Sequence, residues 1–347
     1  MNRRELLQTL ELVAPALAQE NLMPMFQNFC FKRGVVIAYR DSIGVIAPST
    51  VDYEFAVHGK TLIELLRATA VKDVEIELQN ECVLVKAGRS KIKLPFSPAS
   101  EYLFEEPEQE KWELMLDIDK YFLKGMELCL SGTSNNNTMP ALMGISIAGG
   151  KDTYLYSCDG DSISRYRLDQ ADTAGIQYIM PNAFCEALLK VTTKTGHHFG
   201  QLYVNGQWVV AELSNAYRIF GRIIDNPEPL KFEAEIAKTV KEQPVYVGIP
   251  NTLTNALNRA QIIGSAENKA TDVHIENGKI TLTTETHMGV VRDIITLKGG
   301  HQPIEVKVDA KLMSRAISVT DEFAIQENCT MYNYGEDFFL IMSNIIE

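Results

Sequence analysis

Six cysteines, six histidines and 45 acidic residues are the groups of this chain with the means for covalent, metal or acid–base chemistry. Cys30, Cys82, Cys129, Cys158, Cys185 and Cys329 are scattered, with no Cys-x-x-Cys pair. That spacing suits neither a zinc ribbon nor a disulfide framework, so they read as buried thiols of a reducing cytoplasm. His197 and His198 are adjacent, without an i+4 histidine or a nearby cysteine to complete a zinc site. Cys158-Asp159-Gly160-Asp161 has the look of part of a calcium loop but lacks its length and closing glutamate. Ser162 has no Gly-x-Ser-x-Gly frame, and neither a phosphate-cradling glycine loop ending in Gly-Lys-Ser/Thr nor a Gly-x-Gly-x-x-Gly is present. No catalytic residue, metal or cofactor is expected. An enzyme built on carboxylates would need a deep polar pocket in which acids converge.

The remaining charged pattern is basic. Lys120 and Lys124 are four apart, as are Lys190 and Lys194, and Lys311 and Arg315, while Lys60 and Arg67 are seven apart. Like charges at i, i+4 on a helix repel by about 0.2–0.5 kcal/mol. An anionic partner such as the phosphates of a nucleic acid relieves that cost and makes binding strongly salt-dependent. Solvated helix faces are the plainer reading. Glu64, Glu127 and Glu186 interrupt the stripes.

These pairs fall on elements that repeat. Apolar spacing of the i, i+3, i+4, i+7 kind predicts helices at Leu6–Leu17, Tyr121–Leu130 and Leu253–Ile263. A second helix is predicted in each third of the chain, at Lys60–Ala70, Asn182–Lys194 and Asp309–Val319, with Asp309 as an N-cap and Pro181 as a first helical residue. Between them the pattern alternates as strands do: Val74–Val85 with Ile92 and Leu94 beyond Gly88, then Gln201–Glu212 turning at Asn205-Gly206, then Asp272–Thr284 turning at Asn277-Gly278. Strands that come as hairpins between helices make an α+β architecture. Acidic, proline-containing joints at 104–113 and 225–231 read as solvated linkers. Three modules result, at 1–110, 111–235 and 236–347. With 33 basic against 45 acidic residues the net charge is -12, which excludes a uniformly basic coat but not one basic surface. No apolar run is long enough for a membrane helix, and the first helical stretch does not read as a signal peptide, so a cytoplasmic protein is expected.

Three repeated modules, basic helix faces and an acidic total resemble the bacterial β sliding clamp family of DNA polymerase III. Gly88-Arg89-Ser90-Lys91-Ile92-Lys93-Leu94 resembles the strand closing that family's first domain. Leu142-Met143-Gly144-Ile145 and Tyr156-Ser157-Cys158-Asp159-Gly160-Asp161-Ser162-Ile163 resemble second-domain motifs. Leu257-Asn258-Arg259-Ala260-Gln261-Ile262-Ile263 resembles the first helix of the third domain. The resemblance implies three consecutive clamp modules, with helices lining an inner face and antiparallel sheets outside. It further implies a non-enzymatic processivity factor that closes head to tail as a homodimeric ring around double-stranded DNA, without reading its sequence. Lys120, Lys124, Lys190, Lys194, Arg259, Lys311 and Arg315 would contact DNA. Ile92 and Leu94 of one subunit would face Ile262 and Ile263 of the other. DNA polymerase and clamp loader would dock through short peptides in a groove of Leu142, Cys158, Gly160, Ile163, Leu340 and Met342. The chain departs from the family in its tail Met342-Ser343-Asn344-Ile345-Ile346-Glu347, in Asp161-Ser162-Ile163 after the Asp-Gly pair, in starting at a helix without an opening strand, and in the turn Ala18-Gln19-Glu20-Asn21, which lacks the family's arginine. Such divergence fits a phage-borne copy. The alternative is a clamp-like decoy that binds replication partners without encircling DNA.

Overall fold

The computed structural model describes residues 1–19, 23–134, 136, 138–150, 152–169, 177–226, 230–264, 270–299 and 301–345. Glu20, Asn21, residues 227–229 of the second joint, Ile346 and Glu347 lie outside the described residues. Among the described residues the six expected helices are present, with one more: α1 (Arg3–Val13), α2 (Gly59–Ala68), α3 (Lys120–Leu130), α4 (Asn182–Thr195), α5 (Phe232–Thr239), α6 (Leu253–Ile263) and α7 (Ala310–Ile317). Their starts are set by side chains that accept orphan backbone N–H groups. Asn2 accepts from Arg4 and Glu5, Asp119 from Tyr121 and Phe122, and Asp309 from Lys311 and Leu312. Pro181 stands one residue before α4 rather than inside it, and Gly196, at φ 71°, ends that helix in the left-handed conformation.

Among the described residues the strands form four antiparallel sheets. A nine-stranded sheet runs 96–97, 55–58, 28–32, 35–40, 43–48, 218–222, 208–213, 200–205, 113–118. An eight-stranded sheet runs 177–181, 144–148, 153–158, 162–168, 338–343, 329–334, 322–325, 247–248. Each is assembled from two consecutive thirds of the chain. The seam of the first pairs Ile219 with Val45, and that of the second pairs Ile163 with Ile341. A three-stranded sheet (75–78, 83–87, 90–94) and a four-stranded sheet (289–296, 279–286, 270–276, 304–309) come from the first and last thirds alone.

The chain accordingly divides into two compact units, Met1–Leu123 with Met180–Ile224 and Lys124–Ile179 with Asp225–Glu347. Repeats and compact units differ because ladder hydrogen bonds cross from one third to the next. The hairpin at Asn277-Gly278 has both residues at positive φ, as its two-residue turn requires. At the other expected turn Asn205 still pairs with Trp208, so the loop is Gly206-Gln207. The first helix is not free of strand pairing: Asn2 forms an antiparallel bridge with Asp73, and Val74 N–H donates to the carbonyl of Met1.

The first joint is packed through its aromatic residues rather than wholly solvated. In the first unit, Phe104 stacks on Tyr39 at 4.8 Å and meets Phe220 edge-on at 5.6 Å, while Trp112 lies against Tyr203 and Phe220. Glu106 pairs with Arg218 beside them. This joint covers one face of the nine-stranded sheet, joining a cluster of Cys30, Ile37, Ile46, Val210 and Phe220. In the second unit, the joint leads into α5, which lies on a face of the eight-stranded sheet. Its pattern Phe-Glu-Ala-Glu-Ile-Ala-Lys-Thr offers only two large apolar anchors, Phe232 and Ile236.

Candidate functional site

The basic residues expected to meet DNA divide into two groups. On α3 the exposed face is Lys120, Tyr121, Lys124 and Glu127, opposite buried Phe122, Met126 and Cys129. Lys120 lies 4.8 Å over the Tyr121 ring, and Lys124 bonds Glu127 at 3.2 Å and sits 5.6 Å over Tyr334. On α4, Lys190 and Lys194 are both exposed, a turn apart on the same face. Lys190 Nζ donates to the carbonyl oxygen of Glu11 on α1 at 2.8 Å. Partial burial lowers the pKa of Lys190, and the nearby charges of Lys194 and Arg67 add to that while Glu11 opposes it. On α7, Lys311 is exposed. These five lysines project from helix faces whose other sides are buried.

The two arginines differ. Arg259 on α6 closes on Asp293, with bonds of 2.6 and 3.0 Å, which raises the guanidinium pKa further. Arg315 turns inward: its Nη2 is 2.6 Å from Asp159 Oδ2 and donates to Ser162 Oγ at 2.8 Å. Asp159 Oδ1 accepts from the N–H groups of Asp161 and Ser162 and from the Ser162 hydroxyl. Arg315 thus holds the turn between two strands of the eight-stranded sheet. Of the seven expected DNA contacts, Arg315 is therefore the one whose guanidinium is engaged by this turn.

That turn belongs to the expected peptide groove, and the register shows which groove residues share a face. Residues directly opposite in an antiparallel pair point to the same side, and neighbours along a strand to opposite sides. Cys158 is opposite Ile163, and Ile163 is opposite Ile341. Leu340 and Met342 are opposite Ser164 and Ser162, on the other side. Leu340 and Met342 are almost wholly buried, and Leu142 is buried as well. The six expected residues therefore do not converge on one surface. Leu340 and Met342 belong to the inward face, and Ile341 is the residue that stands with Ile163. The five-residue apolar run Phe338 to Met342 has no alternation from which sequence reasoning could read the face.

The inward face carries Tyr166, Ser157 and Ser164, against which α3 and the residues after it sit with glycines. A Cβ on Gly125 would come within 2.3 Å of Tyr166, and one on Gly132 within 2.6 Å of the Ser164 hydroxyl. The other face is where α5 lies. Phe232 stacks on Tyr156 at 4.8 Å with rings 7° from parallel. Glu233 accepts from the Tyr156 hydroxyl at 2.7 Å and from Arg165 at 3.0 and 3.2 Å. Burial, then the Glu233 contact, raises the pKa of the Tyr156 phenol. Ile236 joins Ala324, Cys329, Met331 and Ile341, with Ile163, Val240, Tyr246 and Phe339 half-buried around them. Burial pushes the Tyr246 hydroxyl up to about 12. Cys158, half-buried, has its thiol pKa raised by burial and by Asp159 and Asp161, with the Gly160 N–H opposing. Gly160 itself is exposed at φ 100°.

The expected subunit contacts lie at two sheet edges. The strand Ser90–Leu94 is an edge of the three-stranded sheet, with Ile92 half-buried and Leu94 buried against its own unit. Ile262 at the end of α6 is 74% exposed, Ile263 is half-buried, and the adjacent edge strand 289–296 exposes Val290 and Ile294. Sequence reasoning missed Val290 and Ile294, although their alternation with Arg292 was visible. Among the described residues no group of three or more His, Cys, Asp or Glu is placed to hold a metal ion. No helix there is long and apolar enough to cross a membrane.

No protein-family model and no curated protein matches this chain. Solved structures do. The DNA polymerase III β subunit of Thermotoga maritima matches with a TM-score of 0.87 at 16% identity, covering 100% of this chain and 98% of that one. The β subunit from the DNA polymerase of Streptococcus pyogenes matches at 0.87 and 14% identity, covering 100% and 99%. Caulobacter crescentus pol III β matches at 0.82 and 18% identity, covering 100% and 99%. The fold is that of the β sliding clamps over its whole length. Identity this low shows the fold alone.

Proposed function

We propose that this chain is a DNA sliding clamp, a non-enzymatic processivity factor that closes head to tail with a second copy around duplex DNA and tethers a replicative polymerase. The observation that carries the proposal is the fold agreement across the entire chain with clamps from several bacteria. Three clamp modules, 1–110, 111–235 and 236–347, supply two helices each to the DNA side. Lys120, Lys124, Lys190, Lys194 and Lys311 supply sequence-independent contacts to phosphate. Arg259 and Arg315 are committed to Asp293 and Asp159 and lie outside that set.

Closure uses the two exposed sheet edges, Ser90–Leu94 and Gly289–Thr296, with Ile92 facing Ile262, Ile263, Val290 and Ile294. An unpaired edge strand with exposed apolar side chains is a template for pairing with another chain. Polymerase and clamp loader dock through short peptides near Ile163, Cys158 and the Asp159–Ser162 turn. Native mass tests the closure. A mass near twice the 38.8 kDa of one chain supports the two-subunit ring. A monomer that binds polymerase peptides yet never closes would establish the decoy instead.

A further inference from the structure

The two sheet edges assigned to closure carry the same sign of charge. On the strand Ser90–Leu94, Ile92 and Leu94 stand opposite buried Val85 and Val83, so they face the core of their own unit. Lys91 and Lys93 therefore point outward, and both are exposed, as is Arg89 in the turn before them. On the strand Gly289–Thr296, Val291, Asp293 and Ile295 stand opposite buried Thr284, Leu282 and Ile280. Arg292 points to the other side, exposed, between Val290 and Ile294, each 61% exposed. The acids that could answer these cations are engaged or set back. Asp293 lies on the core side and holds Arg259. Glu75 and Glu77 hold Lys86, which stands opposite Lys91 on the strand behind it. Glu285 stands opposite Val290 on the strand behind Arg292, and Lys279, outward on that same strand, offsets it. Among the described residues no ion pair includes Arg89, Lys91, Lys93 or Arg292. When two such edges join into one sheet with their cores on the same side, outward residues meet outward residues. Like charges opposite one another across strands are destabilising.

We propose that the ring closes through two edges of like charge, held by apolar contact and tightened by small anions at the seam. The attraction comes from Ile92, Ile262, Val290 and Ile294. Lysine stems cover Val290 and Ile294 while their ammonium groups stay in water. Lys91 and Lys93 of one copy and Arg292 of the other oppose closure until mobile anions screen them. The screening length shrinks from about 10 Å in roughly 0.1 M salt to about 3 Å in roughly 1 M. Salt thus acts on closure in the sense opposite to its action on phosphate contacts, which it weakens. The proposal rests on the reading of the chain as a two-subunit ring.

The test is the dissociation constant of the full-length dimer, without DNA, measured by analytical ultracentrifugation in about 0.1 M and about 1 M sodium chloride. The wild-type chain is expected to bind its second copy roughly threefold or more tightly in the higher salt. Lys91→Glu/Lys93→Glu places opposite charges across the seam. That chain is expected to dimerise more tightly than wild type in the lower salt and to loosen as salt rises. Adding Arg292→Glu to it restores like charge and with it the wild-type direction. All three positions are exposed, and circular dichroism checks that the variants keep the fold. Salting-out of apolar surface tightens every chain alike, so a Lys91→Glu/Lys93→Glu dimer that keeps the wild-type direction overturns the proposal. A wild-type dimer that loosens with salt overturns it as well. Monomers at every salt, in wild type and variants alike, overturn the ring reading itself and the seam with it.

Discussion

At the scale of single residues, Arg315 shows what a charge stripe on a helix leaves open. It stands four residues after Lys311 on α7, yet its guanidinium is taken by Asp159 and Ser162. Spacing along one helix specifies which side chains share a face, but only the approach of another element decides which of them solvent can reach. Replacing Arg315 with alanine removes bonds to a carboxylate that is 12% exposed. Hydrogen bonds to charged groups are worth about 1.5–3 kcal/mol each in favourable cases. The variant should therefore lose about 1–3 kcal/mol of unfolding free energy in urea, and its DNA affinity should keep the wild-type salt slope. A lowered slope with unchanged stability would return Arg315 to the phosphate-facing set. The Cys158 thiol gives a second check at this scale. Its pKa is raised by burial first and by Asp159 and Asp161 after that. At mildly alkaline pH the thiolate fraction is correspondingly small, so alkylation should be slower than for an unfolded peptide thiol and should accelerate as pH rises further. Alkylation as fast as the unfolded control would contradict that environment.

At the scale of elements, the helices with capping residues and a full apolar stripe were legible, since period and cap are local properties. The short α5 was not, because two anchors in eight residues make no period. The acidic joint 104–113 read as solvated for a related reason: composition counts its glutamates, whereas Phe104 and Trp112 decide where it lies. Sheet seams are non-local and left no mark in the sequence, so the pairing of Ile163 with Ile341 and the burial of Leu340 and Met342 emerge only in three dimensions. The seat of α3 makes a test of this packing. Gly125→Ala favours the helix by about 1 kcal/mol in propensity. The added methyl meets Tyr166 at 2.3 Å, and overpacking costs about 1–3 kcal/mol. A net loss of stability in urea is expected, and a net gain would mean that Tyr166 moves aside freely.

At the scale of the whole molecule, the net charge of -12 and a DNA-binding role are compatible because affinity depends on where the lysines stand. Reversing Lys120, Lys124, Lys194 and Lys311 together should flatten the dependence of log affinity on log salt, by about one unit for each phosphate that is no longer neutralised. An unchanged slope would remove these residues from the interface. The claim on which the rest depends is topological: the protein holds DNA by surrounding it. The direct measurement is retention on a closed DNA circle after loading, compared with the same DNA cut once. Long residence on the circle and rapid loss from the cut molecule are expected. Equal residence on both would contradict encirclement.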